Sequence, residues 1–235
     1  MFRFFAAFLF FMSFAQAQEG TRIKTKLFTF ALGELPSGFK AFFKTGEEIL
    51  EFSAGEGGLS APINYTGPPA FVLRESREAF SAPPTGQDPP PPLAWVNLPL
   101  NADNILVIAT PAESGKIRLL AYNISTRELA PGDYKFFNFS TNTLSFIFDS
   151  QKFTMSPGSD RLVKDPAWQR SEKVFTNKIA IVDANNKAKL AYSSLWEHYP
   201  AGRSLMLVFN GNRPSQKVTF RVFNVETPAE STSEQ

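Results

Sequence analysis

Val218, Phe220 and Val222 alternate with Lys217, Thr219 and Arg221, so this stretch reads as a strand with one buried face and one wet face. Before it, residues 205–209 (Leu-Met-Leu-Val-Phe) are continuously apolar, which suits a central strand covered on both faces. The same pair of segments stands earlier in the chain: residues 104–109 (Asn-Ile-Leu-Val-Ile-Ala), then a polar turn, then residues 116–123 (Lys-Ile-Arg-Leu-Leu-Ala-Tyr-Asn). Residues 34–43 and 128–137 form another echo, each a Pro/Gly turn feeding an aromatic strand. A period of roughly 95 to 100 residues is too long for a solenoid or propeller blade, whose repeats run from ~20 to ~50 residues. It matches a small β-sandwich domain. The pattern predicts a tandem duplication with its break near residues 123–127.

Turn chemistry refines the layout. Asp183-Ala184-Asn185-Asn186 separates residues 178–182 from 187–193, a readable hairpin. At the same place in the first copy, residues 70–74 and 94–98 are separated by an insert, residues 75–92, containing Pro83-Pro84 and Pro89-Pro90-Pro91-Pro92. Proline cannot donate to a ladder, so the insert is expected to be a stiff surface excursion. Residues 164–173 offer at most one helical turn after Pro166. Domain 1 is expected over residues 18–123 and domain 2 over 124–225, each with about six or seven strands. The tail, residues 226–235, should be disordered. A single larger sandwich in which the copies share sheets is the structural alternative.

The N-terminus carries an address. Arg3 precedes an apolar stretch from Phe4 to Phe14, and Ala15-Gln16-Ala17 closes it. Charge, apolar run and small-x-small site in that order are a secretory signal over residues 1–17, with cleavage expected after Ala17. The run is too short to span a bilayer, which takes ~20 residues. The expected product is therefore an exported chain, periplasmic or extracellular, without a transmembrane segment. A formal charge of +2 with scattered basic residues gives no electrostatic drive toward nucleic acid. The absence of cysteine excludes disulfides, thiolate catalysis and Cys-ligated zinc. The core must stand without covalent staples, which fits 25 phenylalanines. Sequons begin at Asn64, Asn123 and Asn138 and would matter only in a eukaryotic secretory pathway.

Little in the chain points to catalysis. His198 is the single histidine, whereas a metal site wants several imidazoles or converging carboxylates. A serine hydrolase needs an elbow Gly-x-Ser-x-Gly; none is present, and Ser193-Ser194 read as a strand end. Carboxylates for glycoside hydrolysis could come from Glu47, Glu48, Glu51, Asp149, Asp160 or Asp165. Glu47 and Glu48 follow Thr45-Gly46, however, as in a solvated hairpin turn. The turn at Asp183 lacks the glycine and glutamate of a calcium loop. No catalytic residue, metal ligand or cofactor is therefore assigned. Aromatic residues give the candidate ligand surface: Trp168, Trp196, His198 and Tyr199, with Trp168 expected to be exposed and Trp95 and Trp196 expected to pack in the core.

Residues 134–163 run as aromatic strand, turn, strand, Met155-Ser156-Pro157-Gly158, strand. This order resembles exported bacterial β-sandwich proteins of unknown function. The resemblance implies an immunoglobulin-like sandwich outside the cytoplasm and supplies no catalytic residues; the proline-rich insert departs from it. The expectation is an all-β protein of two tandem immunoglobulin-like antiparallel sandwiches related by duplication. Its expected role is that of a non-enzymatic binding or scaffold protein of the envelope or secretome, with a protein or glycan partner. The alternative is a carbohydrate-binding module or an accessory domain of a carbohydrate-active enzyme.

Overall fold

The computed structural model describes residues 21–81, 88, 90–164, 174–213 and 216–226. The expected signal, the middle of the proline-rich insert, Asp165, Trp168 and the tail from residue 227 lie outside the described residues. The protein is an all-β sandwich. Its chain divides into two compact units, Met1–Ser125 and Thr126–Gln235.

The first unit contains β1 (Ile23–Ala31), β2 (Phe42–Thr45), β3 (Glu48–Glu51), β4 (Ile63–Gly67), β5 (Ala70–Leu73), β6 (Ala94–Asn97), β7 (Asn104–Pro111) and β8 (Ile117–Asn123). One layer has the order β4-β1-β7-β8. The other consists of the hairpins β2-β3 and β5-β6, joined by a bridge between Phe42 and Arg74. There each residue's N–H donates to the other's carbonyl, at 2.8 and 2.9 Å.

The second unit contains β9 (Tyr134–Asn138), β10 (Thr143–Phe148), β11 (Gln151–Met155), β12 (Asp160–Val163), β13 (Val174–Val182), β14 (Ala188–Glu197), β15 (Gly202–Arg213) and β16 (Gln216–Glu226). Its layers run β12-β9-β15-β16 and β11-β10-β13-β14. Strand for strand, these orders repeat those of the first unit. Every described sheet draws its strands from one unit.

The structure corrects the sequence reading in detail. Among the described residues each unit has eight strands rather than six or seven. The pairing is also not wholly antiparallel: β1 runs parallel to β7, and β9 parallel to β15. A parallel neighbour needs a long crossover, supplied here by the intervening strands of the opposite layer. The hairpins β7-β8 and β15-β16 are the segments whose apolar runs matched in sequence. The echo between residues 34–43 and 128–137 instead joins strands of different standing. Phe42 begins β2, whereas Tyr134 begins β9, the counterpart of β1. A turn followed by aromatics specifies a strand start but not the layer it enters.

Each core lies between its two layers. In the first, Phe71 meets Phe43 at 5.1 Å and Tyr65 at 5.7 Å between ring centres. In the second, Phe136 meets Phe146, Phe148 and Phe153 at 5.0 to 5.3 Å, edge to face. Buried aromatics contribute large apolar areas, and such contacts add ~0.5 to ~1.5 kcal/mol per pair, which suits a fold without disulfides. Residues 105–109 of β7 and 205–208 of β15 are fully buried on both faces, as continuous apolar runs require.

Polar groups inside the second unit differ in how they are satisfied. Asn138 is fully buried; its Nδ2 donates to the carbonyls of Asn142 (2.9 Å) and Met155 (3.1 Å), and its Oδ1 accepts from Ser140 N and Oγ. Asn177, also fully buried, finds no hydrogen-bond partner for either side-chain atom among the described residues.

Candidate functional site: the outer strand of the second unit

β14 is ten residues long and forms one edge of its sheet, pairing only with β13 among the described residues. Its register with β13 fixes which side chains share a face. Leu190 lies opposite Ala180, Ser193 opposite Lys178, Leu195 opposite Thr176 and Glu197 opposite Val174. Lys189, Tyr192, Ser194 and Trp196 lie opposite Ile181, Ile179, Asn177 and Phe175, on the core side. Ala191 is skipped in the register, so a β-bulge divides the strand and shifts its alternation by one.

The core-side residues anchor the strand. Tyr192 and Trp196 pack on Phe220 of β16 at 4.7 and 5.6 Å, and the Trp196 indole N–H donates to the Tyr192 hydroxyl at 2.8 Å. On the outward face Leu190 is 58% and Leu195 is 70% exposed. Lys189 and Glu197 are the strand's only charged residues. Beside its first half, an opening of about 460 Å³ is lined by Ile181, Leu190 and Ala191 together with Lys187, Lys189 and Lys217. The hairpin turn there is closed by Asp183, whose Oδ1 accepts from the N–H groups of Asn185 and Lys187, both at 2.9 Å.

The residues singled out from sequence fall as follows. Trp196 is half-buried and belongs to the packing that anchors β14. His198 lies just past the strand, its Nδ1 3.3 Å from the Tyr134 hydroxyl and its ring 6.4 Å from Phe175. Tyr199 is 51% exposed on the turn into β15; a Cβ at Gly202 would overlap its ring, so the glycine lets the ring lie against the chain. Trp168 lies outside the described residues. Ser193 and Ser194 fall inside β14, not at its end.

Trp95 is the clearest reversal. It is 58% exposed, because Ala94 and Val96 occupy the core side of β6 and the strand period turns Trp95 outward opposite Val72. Three of the candidate acids pair with separate lysines: Glu47 with Lys44 (3.2 Å) and Glu51 with Lys40 (3.8 Å) at the surface, and Asp160 with the buried Lys135 (3.5 Å). Among the described residues, no three His, Asp or Glu side chains gather as metal ligands.

Sequence reasoning missed Leu190 and Leu195. The available signal was the slip in period, with apolar residues at 190 and 192 and again at 195 and 196. Compared with known proteins, the chain matches no protein-family model and no curated sequence.

Proposed function

We propose that this is an exported, non-enzymatic binding or scaffold protein that takes a protein partner by adding a strand to β14. The observation that carries the reading is the edge itself, ten residues long, nearly uncharged and bearing Leu190 and Leu195 in water. An exposed edge presents unpaired backbone donors and acceptors, and natural proteins normally blunt such edges unless they use them. The N-terminal signal pattern supports export. The matched strand orders of the two units support an origin by duplication, in which the edge strand is short in one copy and long in the other.

Capture from envelope extract tests this. The wild-type chain should retain a partner that Leu190→Lys with Leu195→Lys loses, while thermal melting stays unchanged. Equal retention by both chains would defeat the reading. A second reading, a glycan-binding accessory module, draws support from Trp95, whose exposed indole could stack on a sugar face. Glycan-array binding lost in Trp95→Ala would favour it over strand addition.

A further inference from the structure

We infer that the occupant of the β14 edge is a second copy of this chain, its own β14 lying antiparallel about Ser193. This rests on the proposed role of β14 as an association edge and names the partner. The argument is self-complementarity. With Ser193 facing Ser193, and the bulged Ala191 skipped as it is against β13, Tyr192 lies opposite Ser194 and Leu195 opposite Leu190. Trp196 then lies opposite Lys189, and Glu197 opposite Ala188. Each of these pairs joins residues of the same face, as a continuous sheet demands. The two-fold axis makes each contact twice.

Three consequences favour this register. Both exposed leucines are covered by each other, whereas a centre at Ser194 or Leu195 faces Leu195 with Ser193 or with itself and leaves Leu190 without an apolar partner. Serine at the axis lets the backbones close without a steric block. Lys189 lies across from the Trp196 ring of the other copy on the same face, within reach of cation–π attraction. An inward lysine near a strand edge usually discourages pairing; here the second copy brings an indole ring to the same face. A contact made by one strand edge is at the small end of specific interfaces, so the dimer should be concentration-dependent, with dissociation in roughly the micromolar range.

Sedimentation velocity over a concentration series, on the chain expressed with its own N-terminus and recovered as the host processes it, tests the inference. The wild type should pass from monomer to dimer. Leu195→Lys should weaken dimerisation at least about tenfold. Leu190→Glu should weaken it likewise, and combined with Leu195→Lys should restore it, because the two positions face each other on one side of the paired sheet, a rescue that a fold defect would not give. A wild type that stays monomeric at every concentration overturns self-pairing; if the leucine variants nevertheless lose partner capture, the β14 edge serves a different protein and the broader reading survives. A dimer indifferent to the substitutions at Leu190 and Leu195 places the interface elsewhere and overturns the inference.

Discussion

β6 and β14 occupy the same position in two units of matching strand order, yet they end their sheets differently. β6 is four residues long, is preceded by Pro90, Pro91 and Pro92, and lies along β8 of the facing layer. Arg74 further ties the insert down by donating to the Pro90 carbonyl. β14 has ten residues, follows a tight turn closed by Asp183, and leaves an opening beside its first half. Shortness and proline are established ways of blunting an edge. The difference teaches that the connection between the last two strands of a layer, not the layer's topology, decides whether its edge is available.

The comparison can be broken at several levels. If both units rely on aromatic cores, Phe71→Ala in the first and Phe136→Ala in the second should each cost about 3 to 5 kcal/mol in denaturant unfolding; a cost under about 1 kcal/mol in either would end the parallel. The first unit should respond to alkali. Burial pushes the Tyr65 phenol up to about 12. The unfolded chain, titrating near 10, therefore loses its proton first as pH rises. Stability is fully present below pH ~10 and falls by roughly 2 to 3 kcal/mol toward pH ~12. Tyr65→Phe should flatten that part of the stability profile, and an unchanged slope would refute the assignment.

A smaller effect concerns the core face of β13, where Phe175, Asn177 and Ile179 stand in the place of Phe71 and Leu73 on β5. Asn177→Leu should raise the stability of the second unit by about 1 to 2 kcal/mol, since an unsatisfied buried amide carries a desolvation cost; a lowered melting temperature would contradict this. Smallest of all, Leu195→Lys should change the unfolding free energy by less than about 0.5 kcal/mol. A larger loss would mean that the exposed leucine serves the fold rather than association.

The strands were legible where period and turn chemistry agree. The apolar runs at 104–109 and 205–209, the alternation after Lys217 and the turn at Asp183 each correspond to an observed strand or hairpin. What escaped the sequence depends on phase and pairing. The segment Ala94-Trp95-Val96 is apolar at every position, so nothing local tells which side chain faces the core. The bulge at Ala191 shifts the alternation of β14 and hides its outward leucines. The parallel pairs β1-β7 and β9-β15 are set by distant chain segments, and no local pattern encodes them. The edge proposed as the site was visible only once the sheet order was known, because being outermost is a property of the assembled layer.

Asn138 opens one of the sequons, and both atoms of its amide are committed inside the second unit. An oligosaccharide on that nitrogen would remove a donor shared by two carbonyls and would have to pass through a packed interior. Sugar attachment at this position and the native fold are therefore mutually exclusive. If the chain is made in cells that glycosylate it during synthesis, every molecule modified at Asn138 should be lost to misfolding. Mass spectrometry of soluble, folded protein should find residue 138 bare, and a glycopeptide there would contradict the buried amide.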